Sequence, residues 1–248
     1  PVSVSSERAL FETSDLTPRR TANRRPIKRT GSASAGSPQV FRAAAAPSKS
    51  SNFPTPLPDT SGIPSTTTAT VLVSPFNEPE AATTLIEQNA DELAAVMVEP
   101  LQRAICPEPG FLENLRDVTR THGVLLIFDE IVTGFRIAWG GAQERYGVVP
   151  DLAVYGKTIS GGYPLAAVCG CQEVMSLADP RRKAEDDYVF ASGTMNGNPV
   201  GCAAGLVTMD ELEKGGVYTR LYEVSNRLRD GLVEIGMRLA LPFQVIGE

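Results

Sequence analysis

Short apolar runs alternate with stretches of helical spacing along most of the chain. Five runs have the length and branched residues of strands: 69–73, 94–98, 124–128, 151–155 and 165–169. Apolar residues recur at helical spacing in four segments: 77–89, 110–122, 198–213 and 217–235. The stretch 243–247 resembles the beginning of a further strand. Strands that alternate with helices predict an α/β fold, with a mostly parallel sheet flanked by helices.

The run 124–128 predicts the central strand, and the acidic residues Asp129 and Glu130 follow it directly. In an open α/β sheet, ligands bind at the edge where the parallel strands end. Because side chains alternate along a strand, Asp129 and Glu130 are expected to point to opposite faces. Both carboxylates therefore follow the strand at the edge where a ligand is expected, and Glu130, which points away from Asp129, is interpreted as a structural residue.

Lys157 follows Asp129 by 28 residues and lies between Gly156 and the pair Gly161–Gly162. A lysine in a glycine-bordered turn and a carboxylate at a strand end are what pyridoxal 5'-phosphate needs. The lysine amine forms a Schiff base with the aldehyde, and the carboxylate keeps the pyridinium nitrogen protonated. Such a lysine is expected to be partly desolvated, so that its amine is neutral enough to react. The alternative is an ordinary surface lysine.

Gly156, Lys157 and Thr158 also match the end of a nucleotide-binding P-loop, G-K-[ST]. That motif needs a glycine five residues before its second glycine, and Asp151 occupies this position. The loop would also have to open a helix, whereas 160–164 has the composition of a turn. A P-loop is therefore rejected.

Four segments in matching order resemble the class III pyridoxal-phosphate-dependent aminotransferases, in the glutamate-1-semialdehyde 2,1-aminomutase-like branch. They read FDEIVTGFR, GGAQERYGVVPDL, YGKTISGGYPLAAVCG and SGTMNGNPVGCAAG, and the likeness runs from about residue 59 to 248. The resemblance implies the large domain of a fold-type I transferase, incomplete at both ends. It also implies transfer of an amino group, or isomerisation of an amino aldehyde, through a lysine Schiff base.

The resemblance implies four site residues and a homodimer. Lys157 holds the cofactor and carries protons, and Asp129 pairs with the ring nitrogen. Ile131 packs against the face of the ring, and Thr194 reaches the cofactor phosphate from the neighbouring subunit. The alternatives are a helix-capping carboxylate for Asp129, plain core for Ile131 and a turn residue for Thr194. The substrate implied is a small amino acid or amino aldehyde.

Two departures from the aminomutase pattern favour a related aminotransferase. After Glu99-Pro100 the chain reads Leu-Gln-Arg-Ala, where aminomutases tend to have Gly-Asn. Val132 stands where aminomutases have methionine and many other members have glutamine. Arg103 is either a surface residue or a contact for a substrate carboxylate. The alternative function is a catalytically inactive fragment that acts only as a structural or dimerising piece.

The charge is distributed unevenly. The net charge is −6 and the pI about 5.0, which argues against nucleic acid as a partner. Residues 1–50 carry nine basic and three acidic residues, a net charge of +6, so residues 51–248 carry −12. Residues 1–57, rich in Ser, Pro and Ala, are predicted to be disordered. Alternatives are an organelle transit segment, a localisation or nucleic-acid patch, and a mis-assembled remnant of the family's phosphate-binding region.

The predicted domains are the large domain at 58–236 and the start of a truncated small domain at 237–248. The four cysteines lack a C-x-x-C pair and His122 is the one histidine, so a metal site is not supported. The cysteines are interpreted as reduced thiols in or near the core, and His122 as a helix-end residue. No apolar run has the length of a membrane span. The expected location is cytoplasmic.

Overall fold

The structure is a computed structural model that describes residues 39–44, 54–56 and 61–247. Its strands are β1 (Gln39–Ala44), β2 (Val71–Pro75), β3 (Leu93–Val98), β4 (Leu125–Glu130), β5 (Leu152–Tyr155) and β6 (Ala167–Gly170). Its α-helices are α1 (Ser65–Thr68), α2 (Pro79–Asn89), α3 (Phe111–His122), α4 (Gly141–Tyr146), α5 (Gln172–Met175), α6 (Pro199–Glu213) and α7 (Val217–Arg238). Short 3-10 turns cover Lys157–Ser160, Ser176–Ala178 and Pro180–Arg182.

The six strands form one sheet in the order β2-β1-β3-β4-β5-β6. Strands β1 to β5 are parallel, and β6 runs antiparallel to β5 at the edge. The prediction of an α/β fold with a mostly parallel sheet is confirmed. Because β4 and β5 are parallel neighbours, the residues that follow them lie at the same edge of the sheet.

Strand β1 was not predicted. It lies within residues 1–57, which were expected to be disordered, yet it pairs with β2 on one side and β3 on the other. The physical reason is that Arg42 interrupts a short apolar run, so the local pattern is too weak to mark a strand. Backbone pairing with β2 and β3 on both sides stabilises the strand, although its own sequence pattern is weak. The rest of residues 1–57, apart from 54–56, lies outside the described residues.

The core lies between the sheet and helices α2 and α3. Phe111, Leu112, Leu115 and Val118 are buried along one face of α3, as the helical spacing predicts. From α2, the buried residues are Ala82, Leu85 and Ile86. These side chains join one cluster with the inward residues of β3 and β4. Burial of this cluster is the main force that holds β3 and β4 in place.

Helices α6 and α7 leave many apolar side chains exposed. The buried residues of α6 are Gly201 and Gly205, and that of α7 is Gly236. The large exposed apolar side chains of the two helices are Val200, Leu206, Val207, Leu221, Val224, Leu228, Leu232, Ile235 and Met237. Two hydroxyls attach α7 to the loop after β4. Tyr218 donates to the Phe135 carbonyl at 3.1 Å, and Tyr222 donates to the Ile137 carbonyl at 2.9 Å.

The predicted strand at 243–247 is wrong, because these residues follow α7 instead of pairing with a strand. The Phe243 ring lies against Gly236, where a Cβ atom would overlap with it. Arg229 Nη1 donates to the Gly247 carbonyl at 3.0 Å. The segment therefore folds back along the helix. The domain boundary near residue 236 stays a prediction.

All four cysteines are free, as predicted, but two of them are not near the core. Cys106 and Cys171 are partly buried, whereas Cys169 and Cys202 are exposed. Partial burial nevertheless raises the pKa of the Cys169 thiol. His122 is the last residue of α3, where a basic side chain is favourable. In the described part of the chain, no helix combines the length and apolar character needed to cross a bilayer.

Candidate active site

Asp129 is placed by the alternation of β4. Leu126, Phe128 and Glu130 point into the protein and are buried, whereas Asp129 lies on the other face and is partly exposed. Its Oδ1 accepts a hydrogen bond from the Ile131 backbone N–H at 3.1 Å. The backbone therefore fixes the carboxylate at the end of the strand and leaves oxygen lone pairs for another donor.

Lys157 stands just beyond the end of β5, in an unusual backbone conformation. Gly156 is fully extended, and Lys157 has a φ of 48°, in the left-handed region. A residue with a side chain adopts this conformation at an energetic cost, and such residues concentrate at functional sites. The side chain is exposed, and none of the described residues forms a hydrogen bond or ion pair with its amine. The desolvation expected for a reactive lysine is thus not supplied within the described chain.

The pairing of β4 with β5 brings three predicted residues to one edge. Asp129 is opposite Val154, three residues before Lys157. A Cβ atom added to Gly156 would lie 3.4 Å from Ile131 Cγ2, so the Ile131 side chain packs over the residue that precedes Lys157. A carboxylate, an apolar side chain and an amine therefore share the carboxyl ends of two adjacent strands.

Thr194 is not brought to this group by the contacts of the chain. It is exposed, in the turn that precedes α6. The following Asn198 caps α6, since its Oδ1 accepts from the backbone N–H groups of Val200 at 2.9 Å and Gly201 at 3.2 Å. Helix α6 packs on the 3-10 turn that begins with Lys157: Gly205 lies near the Ile159 carbonyl, at 3.3 Å from an added Cβ.

Glu130 is fully buried and accepts hydrogen bonds on both carboxylate oxygens. Oε2 accepts from the Ala142 N–H at 2.7 Å and from Thr133 Oγ1 at 2.9 Å. Oε1 accepts from the backbone and side-chain nitrogens of Gln143, at 3.3 Å and 3.0 Å. The opposite orientations of Asp129 and Glu130 agree with the expectation from strand alternation.

Tyr155 and Gln143 were missed by the sequence reasoning. Gln143 Nε2 donates to the Tyr155 hydroxyl at 2.8 Å, and burial together with the Glu130 charge raises the pKa of Tyr155 to about 12. Tyr155 therefore stays protonated at ordinary pH. The motif GGAQERYG contains Gln143, but no spacing rule in the sequence links this residue to Glu130 or Tyr155.

Arg103 lies in a tight turn after β3. It is exposed and has a φ of 60°, and paired backbone hydrogen bonds between Gln102 and Ile105, at 2.9 and 3.0 Å, close the turn. Its contact with a substrate carboxylate stays a prediction.

The family model for class III aminotransferases matches residues 39–246. The chain belongs to the class III aminotransferase family. This membership confirms the resemblance carried by the four motifs, and the match includes β1.

Among curated proteins, glutamate-1-semialdehyde 2,1-aminomutase 2 of Brevibacillus brevis is 45% identical over 189 residues, covering 75% of this chain and 43% of that protein. Among solved structures, an omega-transaminase from Sphaerobacter thermophilus is 37% identical with a TM-score of 0.77, covering 86% of this chain and 52% of that one. A transaminase with pyridoxal phosphate bound is 26% identical with a TM-score of 0.73, covering 85% and 52%. The chain thus spans about half the length of these relatives.

Proposed function

We propose that the chain is a pyridoxal-phosphate-dependent enzyme that transfers an amino group between small molecules. The observation that carries this proposal is the shared position of Asp129, Ile131 and Lys157 at the ends of two adjacent strands. Membership of the class III family supports the reaction type. The similar transaminase that binds pyridoxal phosphate supports the choice of cofactor.

The chemistry of the side chains fits this cofactor. Lys157 supplies an amine without a partner in the described chain, and Asp129 supplies a carboxylate with oxygen lone pairs to spare. The apolar side chain of Ile131 packs over Gly156, the residue before Lys157, and offers a surface for a flat ring. When bound, the cofactor supplies an electron sink for the carbanion at the substrate α carbon.

Each residue then has a defined task. Lys157 would hold the cofactor through its amine and, once released, would move a proton to and from the substrate α carbon. Asp129 would accept a hydrogen bond from the ring nitrogen and so favour its protonated form. Ile131 would offer its apolar side chain to the ring. The substrate is a small amino acid or amino aldehyde.

We propose further that the working unit is a homodimer in which Thr194 binds the phosphate of the partner's cofactor. Thr194 is exposed in the turn that precedes α6, and α6 itself exposes Val200, Leu206 and Val207, each about 60% accessible. An exposed apolar surface of this kind is typical of a protein interface. The proposal is that this surface is covered by a second copy.

Mixing two inactive variants tests the shared site. Lys157→Ala removes the amine, and Thr194→Ala removes the phosphate contact. If Thr194 serves the neighbouring subunit, mixed dimers contain one site with both native residues, so activity reappears after the two variants are refolded together. If Thr194 serves its own chain, the mixture stays as inactive as its components.

Amino transfer is favoured over isomerisation, and the two are separated by the need for an acceptor. The similarity to an aminomutase keeps isomerisation of an amino aldehyde as the second candidate. The departures at Val132 and at residues 101–104 favour the first. A transaminase requires an oxo acid as amino acceptor for sustained turnover, whereas an aminomutase converts its substrate without one.

The cytoplasmic location stays a prediction.

The decisive experiment is a single-turnover assay on the full 248-residue chain. Pyridoxal phosphate is added, excess is removed, and amino donors are tested one at a time. The expected result is loss of the visible absorbance of the bound cofactor as it takes up the amino group, and recovery when an oxo acid is added. A wild-type chain that binds no cofactor, or binds it without conversion by any donor, would favour the inactive alternative.

A further inference from the structure

The loop that joins β4 to α4 is organised around the buried Glu130 carboxylate. Its side chain is fully buried and accepts four hydrogen bonds, from Thr133, Ala142 and two nitrogens of Gln143. Its own carbonyl accepts from the Gly134 N–H at 2.8 Å. In the part of the chain that the structure describes, no cationic side chain pairs with it. The hydrogen-bond donors of the loop therefore converge on the Glu130 carboxylate at the end of β4.

Gln143 extends this arrangement to the neighbouring strand. Its Nε2 donates to Glu130 Oε1 at 3.0 Å and to the Tyr155 hydroxyl at 2.8 Å, so the two N–H bonds of one amide join the two residues. Tyr155 is the last residue of β5 and lies opposite Glu130 in the pairing of the strands. The carboxyl ends of β4 and β5 are thus joined by side chains in addition to the backbone pairing of the strands.

Two glycines make room for the connection. Gly141 has a φ of 64°, and a Cβ atom there would overlap with Glu130 Oε2. At Gly134, a Cβ atom would lie 2.5 Å from the Tyr155 ring and 2.8 Å from the Glu130 carbonyl. Contacts this short do not occur in proteins, so both positions require the absence of a side chain. The close packing makes the geometry of the loop specific.

The joined residues flank the candidate site. Asp129 immediately precedes Glu130, Ile131 immediately follows it, and Lys157 is two residues beyond Tyr155. A shift between the strand ends would move Asp129 and Lys157 relative to each other. Displacement by 1 Å at a catalytic group can reduce a rate by about 100-fold.

We propose that Glu130 is a positioning residue for the site: with Gln143 and Tyr155, it fixes the spacing between the Asp129–Ile131 strand end and Lys157. The inference rests on the proposed function, because the spacing has meaning only for a ligand held by both strand ends. Glu130 acts through the other residues and does not touch the cofactor.

The test compares Glu130→Gln with Asp151→Asn in the full chain. Both changes replace a buried carboxylate by an isosteric amide in contact with β4 or β5, but Asp151 lies before β5, at the opposite end of the strand. The apparent dissociation constant for pyridoxal phosphate and the pH at which its visible band changes are measured. Hydrogen exchange of residues 129–135 is followed in the cofactor-free protein.

Glu130→Gln is expected to weaken cofactor binding about 10-fold to 100-fold, by analogy with residues that orient the protein ligands of a metal ion. It also shifts the pH of the spectral change and accelerates exchange at 129–135. Asp151→Asn lowers stability without moving the pH of the spectral change. Equal effects of both variants on binding and spectrum, or an unchanged pH of the spectral change in Glu130→Gln, would overturn the proposal.

A milder variant covers the case in which Glu130→Gln does not fold. Gln143→Met keeps the side-chain volume and removes both N–H donors, while the bonds of Glu130 to Thr133 and Ala142 remain. It is expected to change the cofactor affinity, and the pH at which the visible band changes, in the same direction as Glu130→Gln but by a smaller amount. No change in either quantity would contradict the proposal. If the wild-type chain itself binds no cofactor, the proposed function fails instead, and the hydrogen-exchange comparison still reports on Glu130.

Discussion

Two buried carboxylates lie at opposite ends of the same pair of strands, and they are stabilised differently. At the amino end, Asp151 Oδ2 accepts from Arg116 Nη2 at 3.0 Å and from the Leu126 N–H at 2.8 Å. At the carboxyl end, Glu130 is held by a hydroxyl, an amide and backbone N–H groups.

The difference concerns what each carboxylate connects. Asp151 joins α3, β4 and β5 through an ion pair whose side chains are about nine-tenths buried, 11% and 9% exposed. Glu130 joins the two strand ends that carry the candidate site residues. A charge pair at the amino end stabilises the fold, whereas hydrogen bonds at the carboxyl end define the positions of Asp129 and Lys157. Substitutions at the two ends should therefore affect different measurements.

The largest effect is expected from Asp129→Asn, which reduces amino-transfer activity by about 10²-fold to 10⁴-fold, the range of a proton-controlling group. The amide preserves an acceptor for the Ile131 N–H but does not hold a proton on the ring nitrogen. The unfolding free energy should change by less than about 0.5 kcal/mol. Asp117→Asn, at an exposed carboxylate on α3, is the control and should leave the rate unchanged. Equal rates for Asp129→Asn and wild type would remove Asp129 from the mechanism.

At the amino end, Asp151→Ala should lower the unfolding free energy by roughly 3–5 kcal/mol, because Arg116 is left buried without its partner. Arg116 Nε already has no partner among the described residues, and without Asp151 the guanidinium keeps only neutral acceptors, the Val149 carbonyl at 3.4 Å and Thr119 Oγ1 at 3.3 Å. Urea denaturation measures the change. The control is Glu223→Gln in the exposed pair with Arg220, expected to cost under about 1 kcal/mol. A similar loss for both variants would contradict the importance of burial.

A smaller effect is expected from Gly141→Ala. This change should lower the unfolding free energy by roughly 3 kcal/mol, because alanine is strained in the left-handed region and its Cβ displaces Glu130. The matched control is Gly147→Ala, where φ is 70° but no atom lies within 4 Å of the added Cβ. The control carries the backbone strain alone, about 1–2 kcal/mol. Chemical denaturation and cofactor affinity are measured for both. Identical results would mean that the Cβ contact with Glu130 is relieved without consequence.

The smallest expected effect concerns the alkaline limit of stability. Since the pKa of Tyr155 is raised from 10.0 to about 12, the unfolded chain loses this proton first, and stability is lost as pH rises from 10 to 12. Below pH 10 the contribution is fully present. Tyr155→Phe removes the ionisation, so its stability should decline less steeply across this interval, as measured by denaturation at several pH values. Parallel declines for the variant and wild type would indicate that Tyr155 does not titrate there.

Much of the sheet was predictable because β3, β4 and β5 are apolar runs with clear ends, although within β4 and β5 full burial is limited to alternate residues of β4 and to Ala153 in β5. Strand β1 was not, since its place depends on pairing with β2 and β3 and not on its own sequence. The segment 243–247 was misassigned for the related reason that the Phe243 ring packs on Gly236 of α7. A local pattern reports that residues are apolar, but not what covers them.

The site was predictable in part for similar reasons. Asp129, Ile131 and Lys157 lie in recognisable motifs, and strand pairing brings them to one edge. Glu130 is bonded to Gln143, 13 residues away in the sequence, and through Gln143 it is linked to Tyr155, 25 residues away. No spacing rule in the sequence connects these residues. The role of Thr194 stays a prediction, because it depends on a second subunit.

The most direct test of the central claim identifies which lysine holds the cofactor. The full chain is loaded with pyridoxal phosphate, reduced with borohydride to fix the cofactor covalently, digested and examined by mass spectrometry. The chain has five lysines: Lys28, Lys49, Lys157, Lys183 and Lys214. Stoichiometric modification of Lys157 alone is predicted, with its loss in Lys157→Ala. Modification spread over the other lysines, or unchanged labelling in Lys157→Ala, would contradict the account.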